Sequence, residues 1–305
     1  MTANASPQTP VSPVMGVFWM LLTGVCFVAV TAFVKMLGQR IPAAEAAFLR
    51  YALGAVFLIP MIRPILRARL SRRQLTLFGT RGVAHTLGVT LWFYAMTRIP
   101  IAEVTAMNYL SPIYVTIGAA LFLGEKLAAR RIFAVAVALI GALIILRPGF
   151  REVNSGHIAM LGTAVLFAVG YLIAKAMSDE VAPSVVVGML SITVMIGLAP
   201  LAYAVWVPPT LWEVMILFGV AALATMGHYT MTLAFAAAPI TVTQPVSFLQ
   251  LVWAMLLGWF AFGEAVDIWV MTGGLIIIAA ISFITWREAV LKRQPVTPLV
   301  NATKG

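Results

Sequence analysis

The chain has 305 residues, of which 62% are hydrophobic and only 10% charged, and its mean hydropathy is +1.01. Soluble domains sit near half apolar and a quarter charged, so this chain has too few polar groups to cover its own surface in water and reads as an integral membrane protein. The net charge of +10 does not point to nucleic acid, because the basic residues fall in short loops beside apolar runs, and the single cysteine, Cys26, excludes an intrachain disulfide and a multi-cysteine metal site.

Residues 1–13 (MTANASPQTPVSP) are polar and proline-rich and read as a disordered tail. No Lys or Arg precedes Lys35, and the first apolar run is too long for the core of a secretory signal. Ten apolar segments follow, at 14–36, 44–64, 78–97, 101–123, 129–147, 156–177, 183–206, 211–236, 241–262 and 267–286. Each is close to the ~20 residues that span a bilayer. Backbone in lipid must hydrogen-bond within its own segment, which makes these runs helices; the short alternating strands of a β-barrel are not seen.

Lys and Arg set the orientation. Arg63, Arg67, Arg69, Arg72 and Arg73 follow the second segment; Lys126, Arg130 and Arg131 follow the fourth; Arg287, Lys292, Arg293 and Lys304 form the basic tail, 287–305. With ten spans these lie on one side, which the rule places in the cytoplasm together with both termini. The localisation expected is a bacterial-type inner membrane.

The segments repeat. Pro100–Glu125 (PIAEVTAMNYLSPIYVTIGAALFLGE) and Pro239–Glu264 (PITVTQPVSFLQLVWAMLLGWFAFGE) both open Pro-Ile and close Gly-Glu, at an offset of 139. Gly16 to Lys35 aligns with Gly156 to Lys175 at 140, matching Phe27 to Phe167, and Gly88 meets Gly227 at 139. The expected halves are 14–147 and 156–286, with five helices each. Five is odd, so the halves insert in opposite senses. The fold class is therefore all-α, ten transmembrane helices as a five-plus-five inverted repeat, an architecture common among secondary transporters.

At this point the chain resembles the drug/metabolite transporter superfamily, and within it the EamA family. The residues that carry the likeness are Pro112 in TAMNYLSPIYV, Gly124-Glu125-Lys126 and its echo Gly263-Glu264, Arg50 in AAFLRYALGA, and Gly141 leading to Arg147-Pro148-Gly149. The second copy departs, with Ala265 where the first has Lys126 and Leu251 where Pro112 would repeat. The resemblance implies a secondary transporter of a small organic metabolite, with a central cavity lined mainly by the first, third, fourth, sixth, eighth and ninth helices. The superfamily includes metabolite exporters and uptake systems for riboflavin or S-adenosylmethionine, so riboflavin uptake is the alternative reading; a scaffold or intramembrane enzyme is the alternative of another class. No H-E-x-x-H, P-loop or nucleophile elbow occurs, so the chain does not read as an enzyme. No cofactor or metal is implied. With no ATP-binding domain, uphill transport would draw on an ion gradient, with a proton as the candidate, or on exchange. A homodimer is compatible with the sequence.

Ionisable residues inside spans are costly and are functional candidates by default. Arg50, well inside the second segment, either holds an anionic solute group or pairs with Glu103; the pair is the expectation. Glu103 is the candidate for proton coupling, or an acid favoured by the helix N-terminus. His85 and His228 either titrate near neutral pH or are buried and hydrogen-bonded. Lys35 and Lys175 read as snorkelling helix ends, and Glu125 and Glu264 as structural. Asn108, Tyr109, Ser111, Pro112, Tyr171, His228, Tyr229, Gln244, Gln250 and Trp253 are the candidate cavity residues. They suggest a mostly uncharged aromatic pocket suited to a planar or amphipathic solute. Pro112 should kink its helix and free a carbonyl.

Overall fold

The computed structural model describes residues 13–123, 129–150, 152–178, 180–237, 243 and 246–292. The fold is all-helical: α1 (Pro13–Met36), α2 (Ala43–Gly54), a 3-10 stretch (Ala55–Met61), α3 (Ile62–Arg67), α4 (Arg72–Met96), α5 (Ile101–Asn108), α6 (Ser111–Leu123), α7 (Ala129–Leu146), α8 (Ser155–Ser178), α9 (Pro183–Ala204), α10 (Leu211–Ala237), α11 (Leu249–Phe262) and α12 (Ile268–Lys292). Every apolar segment of the sequence is helical in its described part. Four helical runs, Val14–Met36, Ser155–Ala174, Ser184–Ala204 and Leu211–Met231, are long and apolar enough to cross a membrane, and shorter apolar runs lie at Ile132–Leu146, Leu249–Phe262 and Ile268–Ile284.

Two segments are not single helices. The second tightens into 3-10 geometry at Ala55–Met61, where Pro60 has no N–H to give the carbonyl four residues back. The fourth breaks between α5 and α6. Pro112 cannot bond to Asn108, and Tyr109 and Leu110 turn back instead to the carbonyls of Ala106 and Met107 at 3.2 and 3.0 Å. The expected kink is a full break. At the other extreme, α4 starts at Arg72 rather than 78. Ser71 caps it, accepting from Gln74 N–H while the Gln74 side chain accepts from Ser71 N–H, a reciprocal cap that satisfies two orphan donors.

Helices far apart in sequence make the most extensive contacts: α1 with α10, α4 with α8, and α7 with α12. Around them α2 lies on α9 and α10, α4 on α9, α5 and α6 on α8, and α11 on α1 and α5. Small residues allow the closest approach. A β-carbon on Gly141 of α7 would stand 2.7 Å from the Gly273 carbonyl of α12. The core inside is made of residues such as Val30, Phe93, Met96, Met107, Met160 and Leu217. The outside is also apolar: Phe133, Ile158 and Phe260 are 68, 62 and 86% exposed. Such a surface aggregates in water and suits lipid.

One end of the bundle, where α1 and α4 finish and α5, α8, α10 and α12 begin, is laced with ion pairs. Lys35 pairs with Glu264, Arg40 with Glu213 and Arg147 with Asp267. Glu264 also accepts from the first N–H of α5, Ile101, at 2.9 Å, and Lys35 donates to the Ile99 carbonyl at 3.1 Å. Lys35 is thus not a snorkelling lysine: its side chain is only 20% exposed, because α11 delivers a carboxylate to it. Gly263, with φ of 62°, ends α11 in the left-handed conformation that glycine adopts without cost, and so aims Glu264 back at α1 and α5. At the opposite end Arg73 pairs with Glu180.

Candidate functional site

Cationic and aromatic side chains meet in the middle thirds of α1, α4, α8 and α10. Phe167 of α8 receives His85 of α4 face to face, with centroids 4.8 Å apart and planes at 20°. Trp92 and Tyr171 meet the same ring edge-on at 6.2 and 6.4 Å. On the opposite pair of helices, Phe27 of α1 meets His228 of α10 edge-on at 5.1 Å. From α2, the Tyr51 hydroxyl lies 3.1 Å from Nε2 of His85, and the Arg50 guanidinium sits 4.2 Å over the Tyr51 ring, a cation–π contact. Arg81 of α4 donates through Nη1 to the Val186 carbonyl at 3.0 Å. Both histidines lie within electrostatic reach of Arg50 and Arg81. Tyr171 keeps half of its surface open beside Phe167.

Glycines bring the rings in. A β-carbon on Gly88 would stand 2.8 Å from Cδ1 of Phe167, and one on Gly227 would stand 3.3 Å from Cε1 and Cζ of Phe27. Nearby, Thr163 donates to the Gly88 carbonyl at 3.3 Å, and the hydroxyls of Thr23 and Thr230 are 2.9 Å apart.

Several buried polar atoms have no protein partner among the described residues: Nε of Arg50 and Arg81 and Nε1 of Trp92 in this cluster, and Oδ1 of Asn108 and Oγ of Ser111 at the α5–α6 break. Buried groups of this kind are nearly always hydrogen-bonded, so water or a ligand is their natural complement.

The sequence-derived candidates divide. Arg50, His85, Tyr171 and His228 belong to this cluster. Asn108 and Ser111 flank the α5–α6 break with unpartnered oxygens. Pro112 is exposed at the start of α6. Tyr109 is a tie between elements: its hydroxyl donates to the Ser247 carbonyl at 3.3 Å and its ring meets Phe248 edge-on at 5.4 Å. Gln250 lies against Gly24 of α1, its Cβ 3.6 Å from where a β-carbon there would be. Tyr229 and Trp253 are 65 and 38% exposed and make no ring contact or hydrogen bond with the cluster. Gln244 and Glu125 lie outside the described residues. Glu103 does not meet Arg50. It pairs with His157 of α8, both side chains being about 95% buried. The reason is topological: α2 lies on α4, α9 and α10, whereas α5 lies on α8 and α11.

The family follows from comparison with known proteins. The sequence profile of the EamA-like transporter family matches residues 14–147 and again 154–286. The chain belongs to the EamA-like transporter family. EamA-like relatives cover nearly the whole of it. A riboflavin transporter of Rhizobium johnstonii is 30% identical over 97% of this chain and 99% of its own. An S-adenosylmethionine uptake transporter of Rickettsia bellii is 27% identical over 90 and 94%, and the pseudopaline exporter CntI of Pseudomonas aeruginosa is 28% identical over 87 and 94%. A solved crystal structure superposes on 92% of this chain and 98% of its own with a TM-score of 0.59; at 18% identity the likeness is one of fold. This EamA-like protein is thus a small-molecule transporter of the bacterial inner membrane and not an enzyme.

Sequence reading passed over three of the residues that the EamA-like fold brings into play. Arg81 lies four residues before His85 and so shares its helix face; the start of α4 at Arg72 rather than 78 places it more than two turns inside the helix, where a charge demands a reason. His157 was readable, since it and Glu103 both open segments expected to start on the same face. Tyr51 carried no signal beyond its neighbour Arg50.

Proposed function

We propose that this protein is a ten-span secondary transporter built as a five-plus-five inverted repeat, 14–147 and 156–286, that moves a small organic solute by alternating access, with the solute held at the mid-helix cluster. The observation that carries the reading is reciprocity. Contacts between the halves come in related pairs: α1 with α10 and α8 with α4, α2 with α10 and α9 with α4, α1 with α11 and α8 with α5 and α6. The sequence anchors obey the same rule. Gly88 touches Phe167 while Gly227 touches Phe27, and the threonines at 23 and 163, offset by 140, both bond across the halves. Sites between repeats, near helix midpoints, are where alternating-access carriers hold solute. Both termini lie in the cytoplasm in this reading, on the side of the arginine-rich loop 63–73.

Riboflavin uptake is the second reading, favoured by the Rhizobium relative and by the aromatic walls of the cluster. Purified protein in sealed liposomes tests both. A solute gradient without ATP should drive saturable flux that empty liposomes lack. Absence of flux across riboflavin and a broad metabolite panel, with correctly folded protein, overturns the transport mechanism; flux of other solutes but not riboflavin removes only the second reading.

Glu103 is assigned to architecture rather than coupling. Its partner His157 stands ten residues from Phe167 on the same helix, roughly 15 Å along the axis. Glu103→Gln is therefore expected to leave solute affinity and uphill accumulation intact. Loss of accumulation with exchange preserved would instead give the coupling proton to Glu103.

A further inference from the structure

We propose that the solute is a planar aromatic anion, its acidic group held by Arg50 and Arg81 and its ring lodged among Phe27, Phe167 and Tyr171. The inference rests on the transport reading of the same cluster and adds the charge of the solute.

Charge balance leads to it. Arg81 is only 8% exposed, and the Nε atoms of both arginines are buried without a partner. Guanidinium stays protonated in proteins, so these two charges persist inside a low-dielectric interior, where an uncompensated ion is strongly disfavoured. Among the described residues no carboxylate answers them. Glu45, on the same helix as Arg50, accepts from the Val207 N–H at 2.8 Å. Glu103 is held by His157, Glu180 by Arg73, Glu213 by Arg40, Glu264 by Lys35 and Asp267 by Arg147; Glu152 is exposed in the loop before α8. Among the described residues the ion pairs thus lie at the helix ends, and Arg50 and Arg81 have no carboxylate beside them. A carboxylate or a phosphate supplies the missing charge and the acceptors that the two Nε–H groups lack, through charge-assisted hydrogen bonds. The neighbouring surface is ring-lined, which selects a flat, apolar body behind the acid.

Two matched pairs of probes test this on purified full-length protein in lipid nanodiscs, with binding followed by calorimetry: flavin mononucleotide against riboflavin, which differ by a phosphate, and indole-3-acetate against indole-3-acetamide, which differ by a carboxylate charge. In at least one pair the anion should bind about tenfold or more tighter than its neutral twin, and which pair responds tells phosphate from carboxylate. Arg81→Gln and Arg50→Gln should each erase that preference. Equal affinity within both pairs, or no binding by any of the four, overturns the proposal. The wild-type comparison decides even if a variant fails to fold. Flux of neutral solutes through liposomes would survive that outcome and keep the transport reading; anion binding without any flux would do the reverse.

Discussion

Gly141→Leu is expected to destabilise the protein by about 1–3 kcal/mol or more, the usual cost of overpacking a filled interior, seen as a lowered unfolding midpoint in detergent. The reason is what the new side chain meets. Its β-carbon would stand 2.7 Å from the Gly273 carbonyl oxygen and 2.8 Å from Cγ1 of Ile277. A flexible side chain can swing aside, but a backbone carbonyl moves only with its helix, so α7 and α12 must separate along their length. The reciprocal change Gly273→Leu meets the Gly141 carbonyl and should do the same. Gly79 of α4 is the control: nothing lies within 4 Å of its β-carbon position, and Gly79→Ala should stabilise by up to about 1 kcal/mol through helix propensity. An unchanged midpoint in Gly141→Leu would mean that α7 and α12 do not touch there.

The second large effect belongs to Glu264. Its carboxylate serves Lys35 of α1 and the first N–H of α5 at once, so it joins three helices. Removing one member of a buried pair leaves the other charge stranded, at a cost of about 3–5 kcal/mol. The side chains of Lys35 and Glu264 are 20 and 12% exposed, which places Glu264→Ala toward the lower end. Lys35→Met should cost less when Glu264 is already gone. A double-mutant cycle measures that coupling, and additive effects would show that the pair does not interact in solution. Because the carboxylate seals α5 against α1 at one face of the bundle, a partly destabilised variant should also label more readily at a cysteine placed at Ala102, in a Cys26→Ala background.

Much of the fold was legible because lipid leaves the chain few choices. Apolar length, with Lys and Arg gathered in the loops between the apolar runs, locates the helices without any tertiary information. The candidate site was harder. Phe27, Phe167, Gly88 and Gly227 stood out as repeat markers, but nothing in a linear pattern says that the glycine of one pair faces the ring of the other. Of the aromatic residues expected to wall a mostly uncharged pocket with Asn108, Ser111, Gln244 and Gln250, namely Tyr109, Tyr171, Tyr229 and Trp253, Tyr171 lies against Phe167 in the mid-helix cluster, whereas Tyr109 ties to Ser247 and Phe248, for two physical reasons. Aromatic residues satisfy lipid, interior and cavity equally well, so their presence on a cavity helix does not choose among the three. Charges do discriminate, yet their pairing depends on which helices touch: Arg50 is matched with Glu103 on membrane depth alone, whereas α2 packs mainly on α9 and α10, and α5 mainly on α11 and α8. Depth is written in the sequence, and azimuth is not.

The long reach of α1 has a consequence for how the protein is made. Its main partner, α10, begins at Leu211, about 200 residues after α1 starts, which at ~5–20 residues per second takes the ribosome roughly 10–40 s. During that interval the first helix must wait in the bilayer with its eventual contact face turned to lipid. A helix that is apolar on every side can tolerate such a delay, and the sequence from Val14 to Val34 contains no charge at all; its Lys35 comes last, at the end where Glu264 will not arrive until the ninth segment is finished.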